Sequence, residues 1–106
     1  MEAIQLVEDA LLLQELGCFA VVLEKVPAAL AEQITKKLKI STIGIGAGQK
    51  TDGQVLVTHD FLGMTTEFQP RFLRRYRNLA EEIVAAEKEY IVNVKEGSFP
   101  NDKEQY

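Results

Sequence analysis

Cys18-Phe19-Ala20-Val21-Val22-Leu23-Glu24 sets an unbroken apolar run directly before a carboxylate. A short continuous run of this kind is the pattern of a strand buried on both faces, as in a parallel sheet. Upstream, Ile4, Leu6, Val7, Ala10, Leu11, Leu13 and Leu16 recur at spacings of three and four. This predicts a helix over residues 3–16 with a wide apolar arc, well covered on its inner side. Gly17 stands where a left-handed C-terminal cap belongs. Downstream, Val26-Pro27 opens a second helix, with Pro27 where its missing N–H costs nothing. Leu30, Ile34 and Leu38 mark the inner face of that helix, and Lys36, Lys37 and Lys39 crowd its last turn, where cations favour the dipole.

Ser41–Ile45 reads as a second short strand running into Gly46-Ala47-Gly48, and Asp52-Gly53 is a turn signal. Gln54–Val57 is a third strand, residues 59–70 an irregular loop, and 70–95 one long helix. The inner stripe of this helix is Phe72, Leu73, Tyr76, Leu79, Ala80, Ile83, Val84, Tyr90, Ile91 and Val94, with Gly97 as its stop. The fold class is therefore α/β, with helices alternating with three short parallel strands and right-handed crossovers. Only eight residues separate Ile45 from Gln54, against about ten to twelve in an ordinary crossover. Either one helical turn makes the connection or these strands are not parallel neighbours. A (β/α)8 barrel takes about 250 residues, so three of its eight units take about 94. The chain matches that size, with residues 1–97 as the structured segment and 98–106 as a loose polar tail. It matches a free-standing small α/β domain equally well.

The composition narrows the function. The 106 residues hold 12 Lys+Arg against 16 Asp+Glu, a net charge of −4, which argues against a nucleic-acid binder. Hydrophobic residues make up 46% and charged ones 26%, too apolar for disorder. Cys18 is the single cysteine and His59 the single histidine. Disulfide frameworks and multi-cysteine zinc patterns are thereby excluded, and little remains of metal-site arithmetic. The longest apolar runs fall far short of a membrane span. Met1-Glu2-Ala3 lacks the basic start of a signal peptide. A reducing, cytoplasmic setting is expected.

Glu24 is the sharpest candidate. It follows a strand at the end where parallel α/β folds bind ligands, and partial desolvation there raises a carboxylate toward general-base strength. The competing reading is a carboxylate at a helix start, or one paired with Lys25. Gly44, Gly46 and Gly48 either let backbone N–H groups approach an anion or let neighbouring segments pack closely. They match neither the dinucleotide fingerprint nor a P-loop. His59-Asp60 is an acid–base or metal pair, or else Asp60 caps a helical turn with His59 hydrogen-bonded nearby. Cys18 reads as a small hydrophobe rather than a nucleophile. Arg71, Arg74, Arg75 and Arg77 form a basic patch at the start of the long helix, a solvated or subunit-contact face.

Phe19-Ala20-Val21-Val22-Leu23-Glu24, Val26-Pro27, Thr42-Ile43-Gly44-Ile45-Gly46-Ala47-Gly48, Asp52-Gly53-Gln54-Val55-Leu56-Val57, His59-Asp60, Pro70-Arg71-Phe72 and Phe99-Pro100 follow one another in register. Together they resemble the C-terminal part of the ketopantoate hydroxymethyltransferase family. The resemblance implies the last three strands and helices of a (β/α)8 barrel, incomplete in this chain. It implies a homo-oligomeric enzyme of pantothenate biosynthesis that moves a one-carbon unit from methylenetetrahydrofolate onto 2-oxoisovalerate. Mg²⁺ holds the 2-oxoacid in that family, and Glu24 matches the glutamate that removes the proton next to the carbonyl. Lys25 and Thr51 stand where the family carries smaller residues or cysteine. The family's metal carboxylates and substrate lysine lie before the matched region, so no metal ligand is expected here. The isolated chain is expected to be inactive, and to need an N-terminal barrel partner or self-association. The alternative is a binding or scaffold module without catalysis.

Overall fold

In a computed structural model describing residues 2–106, the apolar run before Glu24 forms a strand over its last residues, buried on one face only. The strand, β1, spans Ala20–Glu24, with Val21 and Leu23 buried and Val22 and Glu24 exposed. Side chains alternate across a strand, so one face of β1 meets the core and the other does not. Burial on both faces was expected, but Val22 is 59% exposed and Phe19 is 91% exposed. Cys18 is exposed as well, not the small core hydrophobe its neighbours suggested.

The described elements run α1 (Glu2–Glu15), β1, α2 (Ala28–Lys37), β2 (Ser41–Ile45), β3 (Gly53–Gln54), α3 (Thr58–Phe61), α4 (Leu79–Glu96) and a 3₁₀ turn at Asp102–Glu104. The sheet is parallel throughout, in the order β1-β2-β3. The short β2–β3 connection therefore does join parallel neighbours, and it does so without a helix. Its turn is held by side chains instead. Gln54 Nε2 donates to the Gly48 carbonyl at 2.7 Å and to Thr51 Oγ1 at 3.0 Å, and Thr51 Oγ1 donates to the Gly53 carbonyl at 2.8 Å. β3 is only two residues long, although the Val55 N–H still donates to the Gly44 carbonyl at 3.0 Å.

The chain divides into two compact units. The first comprises residues 2–57 with Pro70–Leu73. Its core joins Val21, Leu23, Val26, Ala31, Ile34, Leu38 and Ala47 with Ala10 of α1. Ile34 is 1% exposed, and burying such a side chain contributes about 1.5–3 kcal/mol. Helix α2 follows its predicted stripe, but it starts at Ala28, with Pro27 as the N-cap rather than inside the first turn. Helix α1 is far less covered than its apolar arc suggested. Ala10 is its one buried residue, while Ile4 is 64% exposed. The Gln14 side-chain oxygen accepts from the backbone N–H groups of Lys39 and Ile40, which ties the end of α1 to the start of β2.

The second unit comprises Thr58–Gln69 and Arg74–Tyr106. Helix α4 begins at Leu79, nine residues later than the pattern suggested. Backbone groups at 76–80 are claimed by the segment after β3. Tyr76, Leu79 and Ala80 donate to the carbonyls of Phe61, Leu62 and Gly63 at 2.7, 3.0 and 3.0 Å. The arginines therefore do not share a helix start. Arg75 instead turns inward on a loop, its Nη2 donating to the Thr65, Thr66 and Phe68 carbonyls. Gly97 ends α4 in the left-handed conformation at φ 79°, as its position implied. In the tail, the Asn101 side chain accepts from the Lys103 N–H, and Glu104 returns the favour to the Asn101 N–H.

Candidate functional site

Glu24 ends β1 at the C-terminal edge of the sheet, paired in register with Ile45. Its side chain stands on the same face as Val22. Register and alternation add Ile43 and Ile45 of β2 to that face. A Cβ on Gly53 would meet Ile43 Cγ1 at 3.9 Å, so β3 continues the face toward Val55. The result is a carboxylate at the rim of an apolar wall of β-branched side chains. α1 and α2 pack on the opposite face, which is why Glu24 is exposed here rather than partly desolvated.

Behind Glu24 the chain turns sharply. Lys25 has φ 53°, the one non-glycine residue in left-handed backbone among those described. Its N–H still donates to the Ile45 carbonyl at 2.9 Å, so the ladder survives to the turn. The turn opens a cleft of about 840 Å³, bordered by Lys25, Pro27, Ala28, Gly46, Gly48 and Phe72 among others. Glu24 does not line it.

The glycine stretch serves packing. A Cβ on Gly48 (φ 79°) would meet Ala28 Cβ at 2.6 Å, and one on Gly46 (φ 67°) would meet the Phe72 ring at 2.8 Å. Both glycines let other segments come close, so the space a side chain would need is filled by protein. Ala47 between them is 1% exposed and joins the core.

A polar group that the sequence reading passed over locks the sheet edge. Thr42 is fully buried in β2. Its N–H donates to Asp52 Oδ2 at 2.8 Å, and its Oγ1 accepts from the Asp52 N–H at 3.2 Å. The Thr35 hydroxyl donates to the Ala31 carbonyl at 2.8 Å and lies 2.8 Å from Thr42 Oγ1, which donates to Asp52 Oδ2 at 3.3 Å. Asp52 read only as a turn residue. Its reach back ten positions to a strand N–H leaves no local signature.

His59 and Asp60 lie in α3, which belongs to the second unit. The His59 carbonyl accepts from the Met64 and Thr65 N–H groups. Among the described residues no three His, Cys, Asp or Glu side chains are grouped to hold a metal ion.

The ketopantoate hydroxymethyltransferase family model matches residues 1–102. The 3-methyl-2-oxobutanoate hydroxymethyltransferase of Parabacteroides distasonis is 61% identical over 105 residues, covering 99% of this chain and 38% of its own length. Those of Porphyromonas gingivalis and Flavobacterium johnsoniae are 62% and 57% identical, with 38% and 39% of their lengths covered. The chain thus spans well under half of the curated relatives it matches. With a match over nearly every residue, the chain belongs to the ketopantoate hydroxymethyltransferase family.

Proposed function

We propose that this chain is the C-terminal part of a 3-methyl-2-oxobutanoate hydroxymethyltransferase, supplying the last three strands and helices of a (β/α)8 barrel. The observation that carries the reading is the family match over residues 1–102. Parallel strands in sequential order, with helices on one face, support the barrel placement. The bare face of the sheet is then the barrel interior.

In this reading Glu24 is the general base. It takes the C3 proton of 2-oxoisovalerate onto its carboxylate, and the C–H electron pair moves into the enolate. One water releases the methylene carbon of methylenetetrahydrofolate at the oxidation level of formaldehyde, both of its C–N bonds breaking to leave tetrahydrofolate, and C3 forms a bond to that carbon while its oxygen takes a proton and becomes the hydroxyl. Val22, Ile43, Ile45 and Val55 offer the branched substrate an apolar wall, and this wall withholds water from the enolate. Mg²⁺ polarises the carbonyl when bound, and its ligands belong to the remainder of the enzyme. The whole enzyme is a cytoplasmic homo-oligomer in this reading. Among the described residues, no helix is long and apolar enough to cross a membrane.

Exchange of the C3 proton into deuterated water, in the intact enzyme with Mg²⁺ and without folate, isolates the first step. Glu24→Gln keeps the shape and removes the base, so exchange should slow by about 10²–10⁴. Undiminished exchange would remove Glu24 from the role.

A further inference from the structure

Glu24 and Val26 stand two residues apart yet serve opposite faces of the sheet. In extended backbone, residues two apart share a face. Glu24 is exposed on the bare face with Val22, whereas Val26 is 7% exposed and joins the helix-side core with Val21 and Leu23. The change of face happens at Lys25, at φ 53°. An L residue reaches that region only against its own Cβ, and the surroundings hold this one there from both sides. On one side, the Lys25 N–H donates to the Ile45 carbonyl at 2.9 Å, which keeps Glu24 in register beside Ile45. On the other, Val26 is anchored in the core, and the proline after it restricts it to extended backbone. Pro27 is in turn the N-cap of α2, its carbonyl accepting from the Ala31 N–H at 2.9 Å. Glu24 itself has no ion-pair partner among the described residues, and the Lys25 side chain is exposed.

We propose that the left-handed turn at Lys25 positions the base of the proposed reaction, so that Lys25 acts through its backbone and not through its ammonium group. The inference rests on the reading of Glu24 as that base. Extended backbone at Lys25 would put Glu24 and Val26 on one face. Either Val26 would then leave the core, or Glu24 would turn off the bare face and away from the substrate. The left-handed residue lets the chain keep both, the anchor on one face and the carboxylate on the other. Backbone strain that the surrounding structure over-determines gathers at sites where geometry matters. A general base must stand within hydrogen-bond reach of the proton it takes, and a misplacement of about 1 Å costs about 10²-fold in rate.

Exchange of the C3 proton of 2-oxoisovalerate in the intact enzyme, with Mg²⁺ and without folate, tests this on variants that differ in their tolerance of left-handed backbone. Glycine takes it freely, asparagine takes it readily, and β-branched threonine resists it. Lys25→Thr should exchange the proton at least about tenfold more slowly than Lys25→Gly or Lys25→Asn. Its kcat should fall likewise, while KM for 2-oxoisovalerate stays level. The proposal is overturned if Lys25→Thr and Lys25→Gly exchange alike, or if the loss lies in KM. It is also overturned if Lys25→Gly itself slows exchange about tenfold, since the ammonium group would then be the agent. Lys25→Gly removes strain instead of adding it, so this arm decides even where Lys25→Thr fails to fold. Glu24→Gln in the same assay keeps the two claims apart. Undiminished exchange there removes the base, whereas slow exchange there beside equal Lys25 variants removes only the role of the turn.

Discussion

Lys25 holds a backbone conformation that a side chain disfavours, at the residue after the proposed base. Left-handed backbone costs a non-glycine residue about 1–2 kcal/mol. Lys25→Gly should therefore raise stability by about 0.5–1 kcal/mol, because the relief of strain is partly offset by a more flexible unfolded chain. Lys25→Ala should not, and urea unfolding of the two variants checks the difference. Thr42 presents the opposite case, a polar residue stabilised by its partners. Thr42→Val keeps the size but removes the buried hydroxyl that accepts from the Asp52 N–H and meets the Thr35 hydroxyl. A loss of about 1–3 kcal/mol is expected, readable as a lower denaturant midpoint at an unchanged slope.

At the scale of elements, the start of α2 and the loop after β2 are fitted to each other. Gly48→Ala adds a methyl group where Ala28 already stands, at a φ of 79°. The variant should lose about 2–4 kcal/mol, from left-handed strain and overpacking together. Amide exchange should quicken first in the loop 46–54 and in the first turn of α2. On the exposed face of that helix, Lys36 donates to Glu32 at 2.8 Å, and this hydrogen bond and charge hold the Glu32 carboxyl below its ordinary range. The small stability it contributes is present above the unfolded carboxylate's range and fades as the pH falls through the lowered one. The periodicity that made α2 and β2 legible is local, so the sequence carried them nearly to the residue. The start of α4 was not legible, because Tyr76, Leu79 and Ala80 bond to carbonyls some fifteen positions earlier, and pattern alone continues a helix through such a segment. The place of Glu24 at a strand end was legible from the apolar run before it. The cleft beside it was not, since Lys25 and Arg71 are brought together by tertiary folding across 46 positions.

For the whole chain, too much apolar surface is left over. Leu16, Phe19 and Val22 are exposed in the first unit, as are Ile83, Val84, Ile91 and Val94 along α4, which buries no residue. Surface of this kind is covered in stable proteins. Light scattering should show the isolated chain associating with itself, and adding the remainder of the enzyme should disperse those assemblies. The chain alone, with Mg²⁺, 2-oxoisovalerate and methylenetetrahydrofolate, should form no ketopantoate, which chromatography of the products checks. Ketopantoate from the pure chain would mean that the proposed dependence on the rest of the enzyme is wrong. The strand order carries a different consequence, one for synthesis. Spatial order repeats chain order, with Ala20 beside Ser41 and Ile43 beside Gly53. Each new strand therefore finds its partner already translated, and each earlier strand waits only for the next strand in the chain. The interval in which a raw strand edge is open to other nascent chains is thereby kept short.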